Sequence, residues 1–167
     1  MKYQNISSQT KIDAQNILDQ TKILDILSKY GDVRVGGSFY TDLMYGPDID
    51  INITCSNPRV SATNFLAEVI NLQLFQKYQY GDFENFPREN RPHDHIIVLI
   101  LPYNGQKWEI EIWFSNQLKT DQIKLEKKLK NLPQDVKKEI IKSKHQRATS
   151  GLDKHALSSF EIYQKYI

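Results

Sequence analysis

The sequence predicts an α+β fold: a small mixed β-sheet backed by helices, with further helices toward the C-terminal end. Three observations predict it. Asp48 to Cys55 alternates Ile49, Ile51 and Ile53 with Asp48, Asp50 and Asn52, the period of two of a strand with one apolar and one polar face. The runs "IIVLILPY" and "KWEIEIWF" are joined through Asn104-Gly105, a strong two-residue hairpin signal. After Ser115 the segments "DQIKLEKKLKNL", "PQDVKKEIIKSKHQR" and "DKHALSSFEIYQKYI" all read as helices. The regular strand–helix alternation of a doubly wound sheet is absent.

In chain order, Ile12, Leu18, Ile23, Ile26 and Leu27 recur at helical spacing over 9–30, and Gly31 is a plausible stop. Asp32 to Val35 reads as a short strand entering Gly36-Gly37. A short helix over 40–45 is ended by Gly46-Pro47. The strand from Asp48 follows. Asn57-Pro58 starts a helix, with Asn as cap and Pro in the first turn. That helix carries Val60, Phe65, Leu66, Val69, Ile70 and Leu74. Residues 78–91 are aromatic and irregular, a strand plus a loop. A two-residue turn in the hairpin pairs Tyr103 with Gln106, Val98 with Glu111 and Ile100 with Glu109. Pro133 starts the second C-terminal helix.

At 167 residues the chain reads as one domain, 1–167, with an α/β core over about 1–117 and helices over about 118–167. The net charge of +2 is too small to argue for a nucleic acid partner. Cys55 is the single cysteine, which excludes an intrachain disulfide and a multi-thiolate zinc site; it reads as a small buried hydrophobe. The opening "MKYQNISSQTKIDAQ" has no apolar signal core, and no apolar run reaches membrane-spanning length. The expected location is cytoplasmic.

Gly36 and Gly37 let the chain turn sharply after a strand and let a ligand approach the backbone. The amides that follow, with the Ser38 hydroxyl, suit phosphate. Asp48 and Asp50 point the same way from their strand, close enough to share a divalent cation. Mg²⁺ takes hard carboxylate oxygens and keeps waters and phosphate oxygens in its shell. A nucleoside triphosphate with its metal would offset the repulsion between the two aspartates.

Val35-Gly36-Gly37-Ser38, then nine residues (39–47), then Asp48-Ile49-Asp50-Ile51 resembles the signature of the DNA polymerase β-like nucleotidyltransferases. The stretch "GSFYTDLMYGPDIDI" is similar to a small bacterial branch of that superfamily, and "EIIKSKHQR" and "LSSFEIYQ" to that branch's closing helices. The resemblance implies a nucleotidyltransferase fold and a third carboxylate on a neighbouring strand. Glu109 and Glu111 are the two candidates. Glu111 is favoured because it precedes Ile112-Trp113, although Asp is commoner there. The resemblance further implies two metal ions, Mg²⁺ or Mn²⁺, held by Asp48, Asp50 and Glu111 with Glu109 beside them. The β- and γ-phosphates would be held by Gly36, Gly37 and Ser38. Lys144 matches a lysine that would meet phosphates. The implied reaction moves a nucleoside monophosphate from a nucleoside triphosphate onto an acceptor hydroxyl on a small molecule, a protein or an RNA end. No membrane is involved, and a homodimer is open to the chain. The competing reading is a non-catalytic module of the same fold that binds a nucleotide or a protein partner, antitoxin-like or regulatory.

Other features carry blander readings. His93 and His95 would share a strand face, but surface hydrogen bonding or substrate contact is expected ahead of metal ligation. Lys137, Lys138, Lys142, Lys144, His145 and Arg147 read mostly as a solvated helix face, and "LEKKLKNL" as an amphipathic surface helix. Tyr40 offers a ring for a base. Core packing is the better expectation for Trp108 and Trp113.

Overall fold

The computed structural model describes residues 2–89, 91–151 and 157–167. Helices α1 (Lys2–Thr21) and α2 (Ile23–Leu27) are separated by Lys22, whose φ of 54° is left-handed. The helix expected over 9–30 therefore starts earlier and breaks before its end, because a left-handed residue interrupts the helical hydrogen-bond ladder. Its buried stripe runs through Ala14, Ile17 and Leu18, and Ile12 is exposed. Next come β1 (Asp32–Val35), α3 (Gly37–Thr41) and β2 (Asp48–Thr54). The short helix forms ahead of the expected 40–45 and stops at Asp42, a left-handed C-cap whose N–H donates to the Ser38 carbonyl.

Helix α4 (Pro58–Asn71) is capped as expected: the Asn57 side chain accepts from the Val60 N–H at 3.2 Å. It buries Ala62, Phe65 and Val69 but leaves Val60 and Ile70 exposed. Strands β3 (Lys77–Asp82), β4 (His95–Tyr103) and β5 (Gln106–Ser115) complete the sheet. Asn104 and Gly105 both have positive φ, 47° and 71°, as a type I′ hairpin turn requires. Then come α5 (Thr120–Lys130), α6 (Gln134–Thr149) and α7 (Ser159–Tyr163). A capping box of Ser158 and Glu161 starts the last of these. Of the final helix expected over 153–167, residues 153–156 lie outside the described residues.

The strand order is β1-β2-β5-β4-β3. Strands β2 and β5 run parallel, and every other neighbouring pair is antiparallel. One sheet face carries Ile49, Ile51 and Ile53, Ile110 and Ile112, and Ile97 and Leu99, all buried against α1, α2 and α4. Each such side chain contributes about 1.5–3 kcal/mol by leaving water. A second core of Leu43, Leu129, Ile140, Ile141, Ile162 and Tyr163 ties α5, α6 and α7 to the α3–β2 connection. The opposite sheet face thus keeps its polar residues. Among the described residues no helix is long and apolar enough to cross a membrane.

Candidate active site

Parallel pairing of β2 with β5 sets Asp48 opposite Glu109 and Asp50 opposite Glu111. The Glu109 N–H donates to the Pro47 carbonyl at 2.9 Å, anchoring that register at its start. Side chains alternate along a strand, so all four acids occupy one face. Neighbouring strands lie ~4.8 Å apart and alternate residues ~6.6 Å apart. The four are half-buried. On β4, Val98 stands opposite Glu111 and Ile100 opposite Glu109, the pairing expected from a two-residue turn. Negative charge gathered this closely favours any cation that can be shared.

Gly37 has φ 58°, and a Cβ built there would lie 1.9 Å from Asp50 Oδ2. Only glycine lets the turn pass so close to that carboxylate. The two glycine amides, expected as phosphate donors, are engaged inside the protein. The Gly36 N–H donates to the Asp50 carbonyl at 2.9 Å. The Gly37 N–H donates to Glu126 Oε1 at 2.8 Å. Glu126, buried on α5, also receives the Arg34 guanidinium and the Gln122 amide, the latter at 2.9 Å. Arg34 lies 5.3 Å from the centre of the Tyr40 ring, and burial lowers its pKa from the ordinary value. Ser38 follows in the first turn of α3 and is largely buried.

Three openings meet at the acids. A cleft of about 470 Å³ carries Glu109 and Glu111 together with Phe83, Arg88 and Arg91. A second, of about 350 Å³, joins Asp48 and Glu109 to Lys107 and Arg147. A small one of about 70 Å³ joins Asp50 to Trp113, Lys119 and Gln122. Each brings at least one cation to the edge of the acidic face.

Other residues singled out in the sequence lie elsewhere. Lys144 is buried; its ammonium donates to the Leu43 carbonyl at 2.7 Å and the Tyr163 hydroxyl at 2.8 Å. It pins α6 to the second core. Lys137 is buried too, so the basic face of α6 is not simply solvated. His95 is buried between the Tyr80 hydroxyl and Glu84, both at 2.8 Å, while His93 is exposed. Trp108 is fully buried. Trp113 packs against Phe83 with ring centres 5.9 Å apart. Sequence reasoning missed Arg34, Glu126, Arg88 and Arg91. Arg34 was within reach, because it alternates with Val33 and Val35 on the polar side of β1. Glu126 lies in a lysine-rich helix that gives no sign of which carboxylate turns inward.

Among the described residues, no group of three or more His, Cys, Asp and Glu side chains is already gathered as a metal-ligand set. The donor chemistry nonetheless fits a hard divalent cation. All four acids offer oxygen, on two strands held in register, and Mg²⁺ completes its shell with water and phosphate instead of an all-protein cage.

No family model and no curated protein matches the chain. Solved structures do match, and they show the fold: a mixed α/β nucleotidyltransferase fold. The Cid1 poly(U) polymerase, solved with Mg and 3′-dATP bound, aligns with a TM-score of 0.61 at 17% identity, over 84% of this chain and 42% of its own. The non-canonical poly(A) polymerase complex GLD-2–GLD-3 aligns at 0.70 and 12% identity, over 96% and 54%. A cytoplasmic RNA terminal U-transferase aligns at 0.58 and 17% identity, over 88% and 46%. The chain spans about half the length of these proteins. At such identities the likeness establishes the fold.

Proposed function

We propose that the chain is a metal-dependent nucleotidyltransferase that moves a nucleoside monophosphate from a nucleoside triphosphate onto an acceptor hydroxyl. One observation carries this reading: two aspartates on β2 stand in register with two glutamates on β5, while the Gly37 backbone abuts Asp50. In the reaction the acceptor oxygen bonds to the α-phosphorus. The bond from that phosphorus to its β-bridging oxygen breaks, and pyrophosphate leaves with the electron pair. Glu111 would assist removal of the acceptor proton. Asp48, Asp50 and Glu111 would hold two divalent ions, Mg²⁺ or Mn²⁺, with Glu109 beside them. Bound there, the ions supply charge neutralisation on the triphosphate and a more acidic acceptor hydroxyl.

The remaining work falls to the chain's own groups. Gly36 and Gly37 contribute mainly room, since their amides already have partners. The Ser38 N–H and hydroxyl are the donors for the terminal phosphates. Arg34 stands beside them as a cation that Glu126 holds until phosphate arrives. Lys144 joins only by giving up its bonds to Leu43 and Tyr163. The cleft with Phe83, Arg88 and Arg91 takes the acceptor, the ring offering a stacking face and the guanidinium groups binding phosphate oxygens. The neighbours named as poly(U) and poly(A) polymerases support an RNA end as an acceptor, alongside small-molecule and protein hydroxyls.

Calorimetric titration of ATP, GTP, CTP and UTP with and without Mg²⁺, paired with pyrophosphate release across an acceptor panel, tests this. Metal-dependent binding followed by release supports transfer. Binding indifferent to Mg²⁺ and to Asp48→Asn plus Asp50→Asn identifies the chain as a non-catalytic nucleotide-binding module.

A further inference from the structure

A basic cluster lies where α1, α5 and α6 meet the end of α3. The Asp42 carboxylate receives Lys11 from α1 on Oδ1 and Lys130 from the end of α5 on Oδ2, the latter at 2.5 Å. Lys137 of α6 brings its ammonium to 3.7 Å from the same Oδ2. Three ammonium groups thus share one carboxylate. Lys11 and Lys130 make the close contacts, and Lys137 stands further off. The Lys137 side chain is only 6% exposed, and among the described residues that 3.7 Å approach, longer than a hydrogen bond, is its nearest ion-pair contact. The stem is covered, so the ammonium reaches solvent and further partners through the adjoining cavity. Beside it opens a cavity of about 290 Å³, lined by Lys11, Lys137 and Lys138 with Ser7, Ser8 and Gln134, and by Asp42 itself. None of the residues lining it lines the three openings at the acids.

We propose that this cavity binds a phosphate group, as a monoester or diester, at a site separate from the acidic face. Lysine serves as a mobile point charge that reaches a tetrahedral anion from several directions. A phosphate oxygen gives Lys137 a closer acceptor than the Asp42 carboxylate 3.7 Å away, and Lys11 and Lys138 close on the remaining oxygens. The serine hydroxyls and the Gln134 amide add neutral donors at the wall. The phosphate belongs either to a free phosphorylated small molecule or to a nucleic acid strand; the chemistry recognised is the same. The proposal stands independently of nucleotidyl transfer.

The test titrates the full chain, in EDTA so that divalent ions stay out, with inorganic phosphate and separately with a single-stranded oligonucleotide. Amide shifts of residues 7, 8, 11, 137 and 138 report binding in two-dimensional NMR. Both probes are expected to move these amides in the native chain. Lys137→Met is expected to weaken binding about tenfold, the loss of one charge-assisted contact. Lys138→Glu, at an exposed position, is expected to weaken it with the fold untouched. Asp42→Asn is expected to tighten binding by removing the competing carboxylate. Asp48→Asn plus Asp50→Asn is expected to change nothing, which separates this site from the acidic one. An oligonucleotide bound far more tightly than phosphate, with steep salt dependence, names a nucleic acid backbone as the source; equal affinities name a free ester. Unchanged binding in Lys138→Glu and in a folded Lys137→Met overturns the proposal, as does the absence of amide shifts with either probe.

Discussion

On the open sheet face four carboxylates are set by backbone register, whereas around Asp42 three ammonium groups arrive on long side chains from three helices. The acids have short side chains on hydrogen-bonded strands, and Gly37 packs against one of them. Their mutual geometry is therefore fixed before any ligand binds, as bond-making chemistry demands. The lysines have flexible stems and no shared backbone ladder. They can gather on an anion without dictating its orientation. One region suits catalysis and the other suits capture.

The sharpest way to break this contrast is to neutralise one of the acids. Asp50→Asn is expected to lower nucleotidyl transfer by roughly 10³-fold or more. In metal-free buffer its melting temperature should hold or rise, since like-charge repulsion is relieved. A fall of more than about 5 °C would mean that Asp50 is a structural residue, and the acids would lose their special standing.

Gly37→Ala probes how tightly the backbone holds the acidic site. The new methyl meets Asp50 Oδ2, at a φ of 58° that alanine rarely adopts. A loss of about 1–3 kcal/mol in urea unfolding is expected. No measurable loss would show that the turn relaxes freely and that the register does not govern the site. Glu126→Ala comes next. It strands the Gly37 N–H and the Arg34 guanidinium, and about 1–2 kcal/mol of stability should go with it. Glu126→Gln should cost less, because an amide oxygen still accepts from Gly37. Equal losses in the two variants would assign the whole effect to the ion pair with Arg34.

The smallest effect belongs to the lysine cluster. Burial works against ionisation of Asp42, but hydrogen bonds from Lys11 and Lys130 outweigh it and hold its pKa below the ordinary 3.8. A depressed folded-state pKa stabilises above the unfolded value and is lost as pH falls through the folded one. Below about pH 4, stability of the native chain should therefore fall more steeply than that of Asp42→Asn. Parallel acid-unfolding curves would deny Asp42 its charged role.

Much of the acidic site was legible because β-structure writes itself locally. The alternation in "DIDINIT" announced which face Asp48 and Asp50 take. Asn104-Gly105 set the hairpin turn, and with it the pairing of Val98 with Glu111. The parallel sense of the β2–β5 pairing left no such local mark. The lysine cluster was illegible for the opposite reason. Lys11 is far in sequence from Lys130 and Lys137, and a lysine-rich amphipathic helix looks solvated until another helix covers it. Glu126 and Lys144 turned inward in the same way. The break at Lys22 escaped as well, since a left-handed lysine leaves no compositional mark.

The acidic face can be interrogated directly by crystals soaked with Mn²⁺ and a non-hydrolysable nucleoside triphosphate, read by anomalous scattering. Peaks between Asp48, Asp50 and Glu111, with the terminal phosphates reaching Ser38, are the expected result. Bound nucleotide with manganese elsewhere, or with no metal against these side chains, would contradict the assignment of the site.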